Sequence, residues 1–281
     1  MRKRIVSVKN TQKITSAMKM VAAARLRRAE ERARMARPYA DRLQSFLDRF
    51  TIDPENIPHP LAETRIVNRS GLLIITSDRG LCGSYNSNIL REATKWLEQR
   101  DTDKTQLYII GNKGNSYFKR RKWKIAKHFG NLDYKIDYKE TKEITDTIAN
   151  DFIDGKVDEV DLLYSRYVSP AVCRQTMLNL LPIKATGKEE HTGPASDFIY
   201  EPSPEEILEI LFPKYLYTRI VTSLAESLAS EQGQRMVAMS AATENAEEMC
   251  RILTLKYNKA RQAAITKELL EIVGGADALE K

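Results

Sequence analysis

The longest hydrophobic pattern in the chain lies in residues 204–281, where apolar side chains recur at steps of three or four residues or their multiples. Strong helix formers dominate this stretch, and no proline follows Pro213. The pattern predicts one helix with a narrow apolar seam, roughly 100 Å long at a rise of about 1.5 Å per residue. A helix of that length needs another element to lie along. The recurring positions are Leu224, Leu228, Met239, Ala242, Ala246, Met249, Leu253, Ala260 and Ala264.

Residues 1–50 predict a second long helix, whose apolar spacing becomes heptad from residue 22 onwards. Such a repeat is typical of a coiled coil, and its many alanines allow the partner helix to approach closely. We expect Pro38 to bend this helix without ending it, because the seam continues beyond the proline. The heptad positions are Ala22, Leu26, Ala29, Ala33, Ala36, Ala40, Leu43, Leu47 and Phe50.

Between the two helices the pattern changes to short apolar runs separated by turn residues. The prolines of residues 51–70 predict a linker. Strands alternate with helices over residues 71–203, which predicts a Rossmann-like α/β domain with a parallel sheet. The expected fold class is therefore α/β plus a long antiparallel coiled coil, in which the helices of residues 1–50 and 204–281 pair and flank the central domain. The expected strands are 71–77, 106–110, 160–168, 177–183 and 198–200, and the shorter helices 88–100, 115–121 and 144–153.

The two long helices have unequal lengths. One enters the central domain and the other leaves it, so they pair antiparallel if they pair at all. Aligning Phe50 with Pro213 places Met1 near Arg261, which leaves about twenty residues, roughly 30 Å of helix, unpaired. This overhang is apolar on most sides, so we expect other subunits to cover it. Its apolar residues are Ala263, Ala264, Ile265, Leu269, Leu270, Ile272 and Val273.

Positive charge is concentrated at the N-terminus. The chain carries a net charge of +7, yet residues 1–37 alone hold twelve Lys and Arg against Glu30 and Glu31. This segment indicates an acidic partner surface, a nucleic acid or an anionic membrane. A basic coiled coil that binds nucleic acid is therefore an alternative function, although no base-stacking aromatic lies among these residues. No run of eighteen apolar residues occurs, so no membrane-spanning segment is predicted.

The turn at Gly80–Gly83 lies where a phosphate-binding loop would follow the first strand. It lacks the glycine spacing of a dinucleotide or P-loop motif, so we interpret it as a tight backbone turn. An α/β enzyme that uses this turn is a third possible class. The three cysteines and three histidines have no ligand-like spacing, and no catalytic set is apparent. We therefore predict no metal, no cofactor and no catalytic residue.

Several longer motifs are more specific than helix physics requires. They are Asn10-Thr-Gln-Lys-Ile-Thr, Ala17-Met-Lys-Met-Val-Ala-Ala, Ser77-Asp-Arg-Gly-Leu-Cys-Gly, Ile199-Tyr-Glu-Pro, Arg235-Met-Val-Ala-Met-Ser-Ala-Ala-Thr and Tyr257-Asn-Lys-Ala-Arg-Gln-Ala-Ala-Ile-Thr-Lys-Glu-Leu. With these motifs, the chain resembles the γ subunit of the F-type ATP synthase over almost its whole length. The resemblance implies a non-catalytic central rotor shaft. Its paired helices would turn inside a ring of α and β subunits and couple proton or sodium flow to ATP synthesis or hydrolysis on β.

The same resemblance implies partners for particular residues. The α/β domain would form a foot on the ε subunit and on the membrane rotor ring of c subunits, which Tyr200 and Glu201 would meet. The protein would be peripheral, on the cytoplasmic face of a bacterial plasma membrane, because the cysteine-bearing insertion of the chloroplast form is missing. The chain also opens several residues short of a usual family start. The positions that match contacts with the α/β ring are Met18, Lys19, Arg261, Gln262 and Thr266.

Overall fold

The structure is a computed structural model of the chain and describes residues 1–50, 59–121, 123–130, 136–184 and 203–279. Contacts divide the chain into two compact units. The first comprises residues 1–21 and 236–281, and the second comprises residues 22–235. The division predicted from the sequence, at residues 1–50, 51–70, 71–203 and 204–281, separates the long helices from the linker and the α/β domain and does not group residues by contact. It stays a prediction.

Both long helices occur, and each continues through its proline, Pro38 or Pro213. In the described residues the helices are α1 (Arg2–Phe50), α2 (Tyr85–Glu98), α3 (Asn112–Lys119), α4 (Tyr138–Ile153) and α5 (Pro204–Leu279). Short 3₁₀ helices lie at Pro60–Ala62 and Thr102–Lys104. The strands are β1 (Ser70–Ile75), β2 (Thr105–Ile110), β3 (Ile125–Phe129), β4 (Glu159–Tyr167) and β5 (Cys173–Leu181). The expected strand at 198–200 lies outside the described residues.

The second unit contains a mixed sheet with the strand order β3-β2-β1-β4-β5. Strands β1 to β4 pair in parallel, as predicted, but β5 pairs antiparallel with β4. The expectation of a wholly parallel sheet was therefore wrong at this edge. Residues 168–172, which join the two strands, are too few for the crossover that a parallel pair requires. Strand β3 was not predicted, because Lys127 and His128 interrupt its apolar residues and leave no apolar run.

The sheet is covered on both faces. Successive residues of β1 point to opposite sides, so that Leu72 and Ile74 belong to one core and Leu73 and Ile75 to the other. The first core includes Ile89 of α2 and Phe118 of α3. The second includes side chains of α4 and of the parts of α1 and α5 that lie in this unit: Ile144, Ile148, Phe152, Leu43, Leu47, Phe212 and Leu216.

The heptad seam of α1 packs as predicted within the second unit. Seven of its positions are buried, and Ala36 is half-buried: Ala22, Leu26, Ala29, Ala33, Ala40, Leu43 and Leu47. The pairing with α5 is antiparallel, because Arg37 bonds to Glu226 whereas Gln44, further along α1, bonds to Arg219. The predicted antiparallel coiled coil is thus confirmed here.

The first unit is also an antiparallel helix pair. The Thr243 hydroxyl donates to the Thr15 hydroxyl at 2.8 Å, and the Lys19 ammonium donates to the Ser240 hydroxyl at 3.0 Å. Aligning Phe50 with Pro213 places Lys19 opposite Glu244, so the observed register, with Lys19 beside Ser240, differs from the predicted one by about one helical turn. None of the helices in the described residues carries a stretch long and apolar enough to span a bilayer.

Candidate partner-binding surfaces

The end of α5 is exposed on every side. Each residue from 258 to 272, which we call the α5 tip, is exposed in the first unit. Its large apolar side chains are more accessible than a folded chain normally leaves them. The apolar exposure predicted for the overhang is therefore confirmed. The exposed fractions are 48% for Ile265, 57% for Leu269, 68% for Leu270 and 69% for Ile272.

Three of the predicted contact residues lie on the α5 tip. Arg261, Gln262 and Thr266 are exposed, and none of them makes an ion pair or a side-chain hydrogen bond within the described part of the chain. Gln262 and Thr266 are one turn apart and so share a face of the helix. The guanidinium of Arg261 keeps all its donors for a partner, and its planar fork fits a carboxylate. Nearby, Lys267 is paired with Glu271 at 3.5 Å.

The other two predicted ring contacts have different environments. Met18 is half-buried, whereas Lys19 is exposed and hydrogen bonds to Ser240 on the facing helix. Because that bond holds the ammonium at the surface of the helix pair, Lys19 presents a fixed positive charge. The neighbouring Met20 is 66% exposed and Ile14 59% exposed, and sequence reasoning did not single them out. The sequence signal that identifies them is a large apolar residue that lies outside the apolar seam of the helix.

The predicted contacts form two levels of the first unit rather than one site. Lys19 lies beside Ser240, and about twenty further residues of α5 separate that level from Arg261. At about 1.5 Å per residue the separation is roughly 30 Å. A partner would have to meet the two levels with different parts of its surface. Tyr200 and Glu201, the predicted contacts of the foot, lie outside the described residues.

The turn after β1 is built for structure and not for phosphate. The backbone N–H of Asn112, at the N-terminus of α3, donates to the Asp78 carboxylate at 3.0 Å. An internal carboxylate therefore already occupies the position that an anion would take at this helix end. The carbonyl oxygens of Arg79 and Gly80 accept from the Arg235 guanidinium. Carbonyl oxygens directed at a cation would repel a phosphate.

The glycine before α3 has a steric cause. Gly111 has a φ of +92°, and a Cβ there would lie 2.3 Å from the carbonyl oxygen of Thr76. Only glycine allows the chain to pass so close to the end of β1. Glycine is therefore required at residue 111 by the close approach of two backbone segments.

The family model described as "ATP synthase" matches residues 1–279 of the chain. Curated relatives named ATP synthase gamma chain are similar over nearly their whole length. The one from Heliobacterium modesticaldum is 45% identical over 284 residues, covering 99% of this chain and 97% of the relative. That from Desulfitobacterium hafniense is 46% identical over 279 residues, covering 99% and 98%.

Solved structures agree with these sequence relatives. A chain of the central stalk and c-ring of the Tetrahymena thermophila mitochondrial ATP synthase is 25% identical, with a TM-score of 0.63, and the match covers 82% of this chain and 99% of that one. A chain of the Euglena gracilis mitochondrial ATP synthase is 20% identical, with a TM-score of 0.72 over 99% and 93% of the two chains. The second likeness bears on the fold alone.

Proposed function

The chain belongs to the ATP synthase gamma-chain family, and from that premise we propose that it is a non-catalytic subunit of the central stalk. It turns inside a ring of α and β subunits and couples proton or sodium flow through the membrane sector to ATP synthesis or hydrolysis on β. In this role residues 1–50 and 204–281 form the shaft, residues 71–203 form the foot, and residues 51–70 link the two.

The observation that carries this proposal is the exposed apolar α5 tip. Removing a large aliphatic side chain from water is worth roughly 1.5–3 kcal/mol, so Leu269, Leu270 and Ile272 leave a substantial free energy unrealised in the chain alone. A ring of subunits around the tip would recover it. A surface without this need would be polar, as most helix faces in water are.

The polar residues of the first unit suit a contact that must change at every step of rotation. Arg261, Gln262 and Thr266 would meet a loop of the ring, and Met18 and Lys19 would lie beside a moving segment of β. Exposed ion pairs contribute about 1 kcal/mol or less. Contacts of this strength hold the shaft in position, yet they can be exchanged during rotation.

The foot would contact the ε subunit and the c subunits of the membrane rotor ring, with Tyr200 and Glu201 facing the polar loops of that ring. The chain would then be peripheral, on the cytoplasmic face of a bacterial inner membrane. Its sequence relatives from bacteria support this location.

The two other classes have less support. Neither the family nor the relatives favour a nucleic-acid-binding coiled coil. An enzyme that used the Gly80–Gly83 turn would need a surface that attracts phosphate, whereas the carbonyl oxygens of Arg79 and Gly80 are directed at Arg235. We therefore do not assign a nucleotide to this chain.

Reconstitution tests the proposed function. Isolated α and β subunits are mixed with and without the chain, and we measure cooperative ATP turnover together with the rotation of a bead attached to the foot. We expect the chain to raise turnover and to produce unidirectional rotation. Equal turnover in both mixtures would overturn the proposal.

A double variant then tests the polar residues of the tip. Arg261→Ala with Gln262→Ala should lower coupled ATP synthesis by about tenfold, because two polar contacts, one of them charged, are worth roughly 1.5 kcal/mol together. The matched control is Lys256→Ala with Asn258→Ala, which removes one cation and one amide about one turn earlier. The same loss in both variants would count against a specific role for Arg261 and Gln262.

A further inference from the structure

One face of α5 in the second unit is both polar and buried. Its residues, which we call the polar seam, fall on successive turns between residues 223 and 235. Helix faces that pack against a domain are normally apolar, because an unpaired buried polar group costs free energy. Most of its polar groups have specific partners, although one carboxylate oxygen of Glu226 and the amide oxygen of Gln232 have none among the described residues. The members of the polar seam are Ser223, Glu226, Ser227, Ser230, Glu231, Gln232 and Arg235.

Two serines of the polar seam, Ser227 and Ser230, bond to the backbone of β4. Pairing of β4 with β1 ends at Leu163, so both backbone groups of Ser165 turn towards α5. The Ser165 amide donates to the Ser227 hydroxyl at 3.3 Å, and the Ser230 hydroxyl donates to the Ser165 carbonyl at 2.9 Å. Two side chains of the helix thus take the place of a neighbouring strand.

The C-terminal end of the polar seam holds the turn after β1. The guanidinium of Arg235 bonds to the Glu231 carboxylate at 2.5 Å, and its other nitrogen donates to the carbonyls of Gly80 at 3.3 Å and Arg79 at 3.5 Å. Both members of the ion pair are buried, with side chains 8% and 7% exposed. The turn itself is held by the Ser77 hydroxyl, which donates to the Arg79 carbonyl at 2.7 Å.

The other end of the polar seam reaches α1. Glu226 accepts from Arg37 at 2.6 Å, and the same guanidinium donates to the Tyr167 carbonyl of β4 at 3.0 Å. The Tyr167 hydroxyl in turn bonds to Glu30 of α1. One chain of hydrogen bonds therefore joins α1, β4 and α5.

Between these ends, α5 comes into backbone contact with the connection from β4 to β5. A Cβ at Gly233 would lie 3.0 Å from the Pro170 Cα and 3.1 Å from its carbonyl oxygen. The adjacent Gln234 donates to the Ala171 carbonyl at 2.9 Å. A side chain at residue 233 would push the helix away, so the glycine sets how close α5 can lie.

The distinctive property of the polar seam is not the free energy by which it stabilises the fold. Well-packed apolar residues commonly stabilise a protein as much as a buried ion pair of the same volume, or more. What hydrogen bonds add is direction, since a guanidinium aimed at two carbonyls has one satisfactory position. An apolar seam of similar side chains tolerates a small rotation or a shift along the axis, whereas the polar seam loses partners on either movement.

We propose that the polar seam is a torsional lock, which fixes the rotation and axial position of α5 against the α/β domain so that torque passes between them without slip. Arg235 and Glu231 are its central positioning residues, with Arg37 and Glu226 as a second bond at the other end. The proposal rests on the proposed function, because only a chain that transmits torque needs such a lock.

The test replaces the lock without unfolding the domain. In the double variant Arg235→Met with Glu231→Leu, apolar side chains of similar size fill the buried site, so the thermal midpoint should be unchanged or higher. In the complex with α, β and the membrane sector, we expect the ratio of ATP synthesis to ATP hydrolysis to fall about threefold or more, because residues in one hydrogen-bond network act together. The angular fluctuation of a bead on the foot should widen in parallel.

Two further variants complete the experiment. Arg235→Lys keeps the charge but not the fork, so it should leave the thermal midpoint close to that of the wild type and lower coupling less than the double variant does. Glu92→Gln with Lys95→Gln removes an exposed ion pair of α2 and should change neither quantity. Unchanged coupling and fluctuation in Arg235→Met with Glu231→Leu would overturn the lock. Turnover of α and β that is independent of the chain would instead overturn the proposed function.

Discussion

Two stretches of α5 have opposite relations between polarity and burial. In the polar seam, residues 223–235, glutamate, arginine and serine side chains are buried. In the α5 tip, residues 258–272, isoleucine and leucine side chains are exposed. Both stretches are regular helix of the same element. The difference therefore arises from what each stretch contacts and not from helix formation.

The comparison shows that the two stretches face different kinds of partner. The polar seam meets backbone groups whose positions are fixed by the sheet, so Ser227, Ser230 and Arg235 are each paired in one geometry. The α5 tip has no partner in the described part of the chain and presents an apolar surface that suits a surrounding ring of subunits. A directional contact fixes an angle, whereas an apolar contact has no preferred angle and permits rotation.

The largest effect is expected when negative charge is introduced on the α5 tip. With Leu269→Asp and Ile272→Asp together, the unfolding midpoint of the isolated chain should hardly change, because these side chains are 57% and 69% exposed. Association with the α/β ring should weaken by more than about 100-fold, since burying each side chain is worth roughly 1.5–3 kcal/mol. Titration of the ring followed by native mass spectrometry measures the effect.

Ile210→Asp is the control for the tip, because Ile210 is 74% exposed on the same helix but lies in the second unit. It should leave ring binding unchanged. An equal loss of binding in this variant, or undiminished binding of the tip variant, would show that the exposed leucine and isoleucine are not covered by the ring.

Gly233→Ala tests how closely α5 packs against the β4–β5 connection beside the polar seam. Alanine favours the helix by about 1 kcal/mol, but crowding a packed contact costs about 1–3 kcal/mol. The contact is with the backbone of Pro170, in a connection held by its own hydrogen bonds, so the free energy of unfolding should fall by roughly 1 kcal/mol. Chemical denaturation measures it.

Ala241→Gly, at an exposed position of the same helix, is the matched control. It measures the propensity difference between the two residues without a neighbouring contact. If Gly233→Ala stabilised the protein by the amount that Ala241→Gly destabilised it, α5 would not be in tight contact with Pro170.

The smallest expected effect is a pH dependence of opposite sign at two glutamates of α5, Glu231 in the polar seam and Glu248 between the polar seam and the α5 tip. Burial raises the pKa of Glu231, although Arg235 and Arg25 oppose the shift and Asp78 adds to it. A raised carboxyl pKa stabilises the folded state while the group is protonated. That contribution is lost as the pH rises from the ordinary value of about 4.3 through the raised one.

The measurement compares the free energy of unfolding of the wild type with that of Glu231→Gln between about pH 4 and 7. The wild type should lose stability relative to the variant as the pH rises. Glu248 is exposed, and its pKa is lowered by the hydrogen bond from Arg251, so Glu248→Gln should show a weak dependence of the reverse sign. If the wild type instead gained stability relative to Glu231→Gln as the pH rises, the attraction of Arg235 would outweigh the effect of burial on the pKa of Glu231.

The sequence pattern predicted the α1 seam well and the polar seam not at all. Residues such as Leu26 and Leu47 recur at heptad spacing, and their burial follows from that spacing alone. Ser227, Ser230 and Glu231 are polar, so the same reasoning places them on a solvated face. Their burial depends on β4 extending past the end of β1, which leaves the backbone of Ser165 open. No local pattern contains that information.

The predicted contacts of the candidate surfaces show the same division. The sequence placed Arg261 and Gln262 at the point where the pairing of the helices ends and Thr266 beyond it, and the structure leaves all three exposed. It did not indicate that Lys19 would bond to Ser240, because that contact depends on the register of two segments far apart in the chain. The antiparallel direction of β5 was missed because the apolar run of a strand carries no sign of its direction.

By itself, the sequence determined the two long helices, the face on which α1 packs and the apolar end of α5. These follow from helix propensity and from the spacing of apolar residues, which act over a few turns of chain. Only the tertiary structure decided that the Ser77–Gly83 turn and Arg235 would meet, and that a polar face of α5 would be buried. Such pairings join backbone groups remote in sequence, and a buried polar group is stable only when every partner is in place.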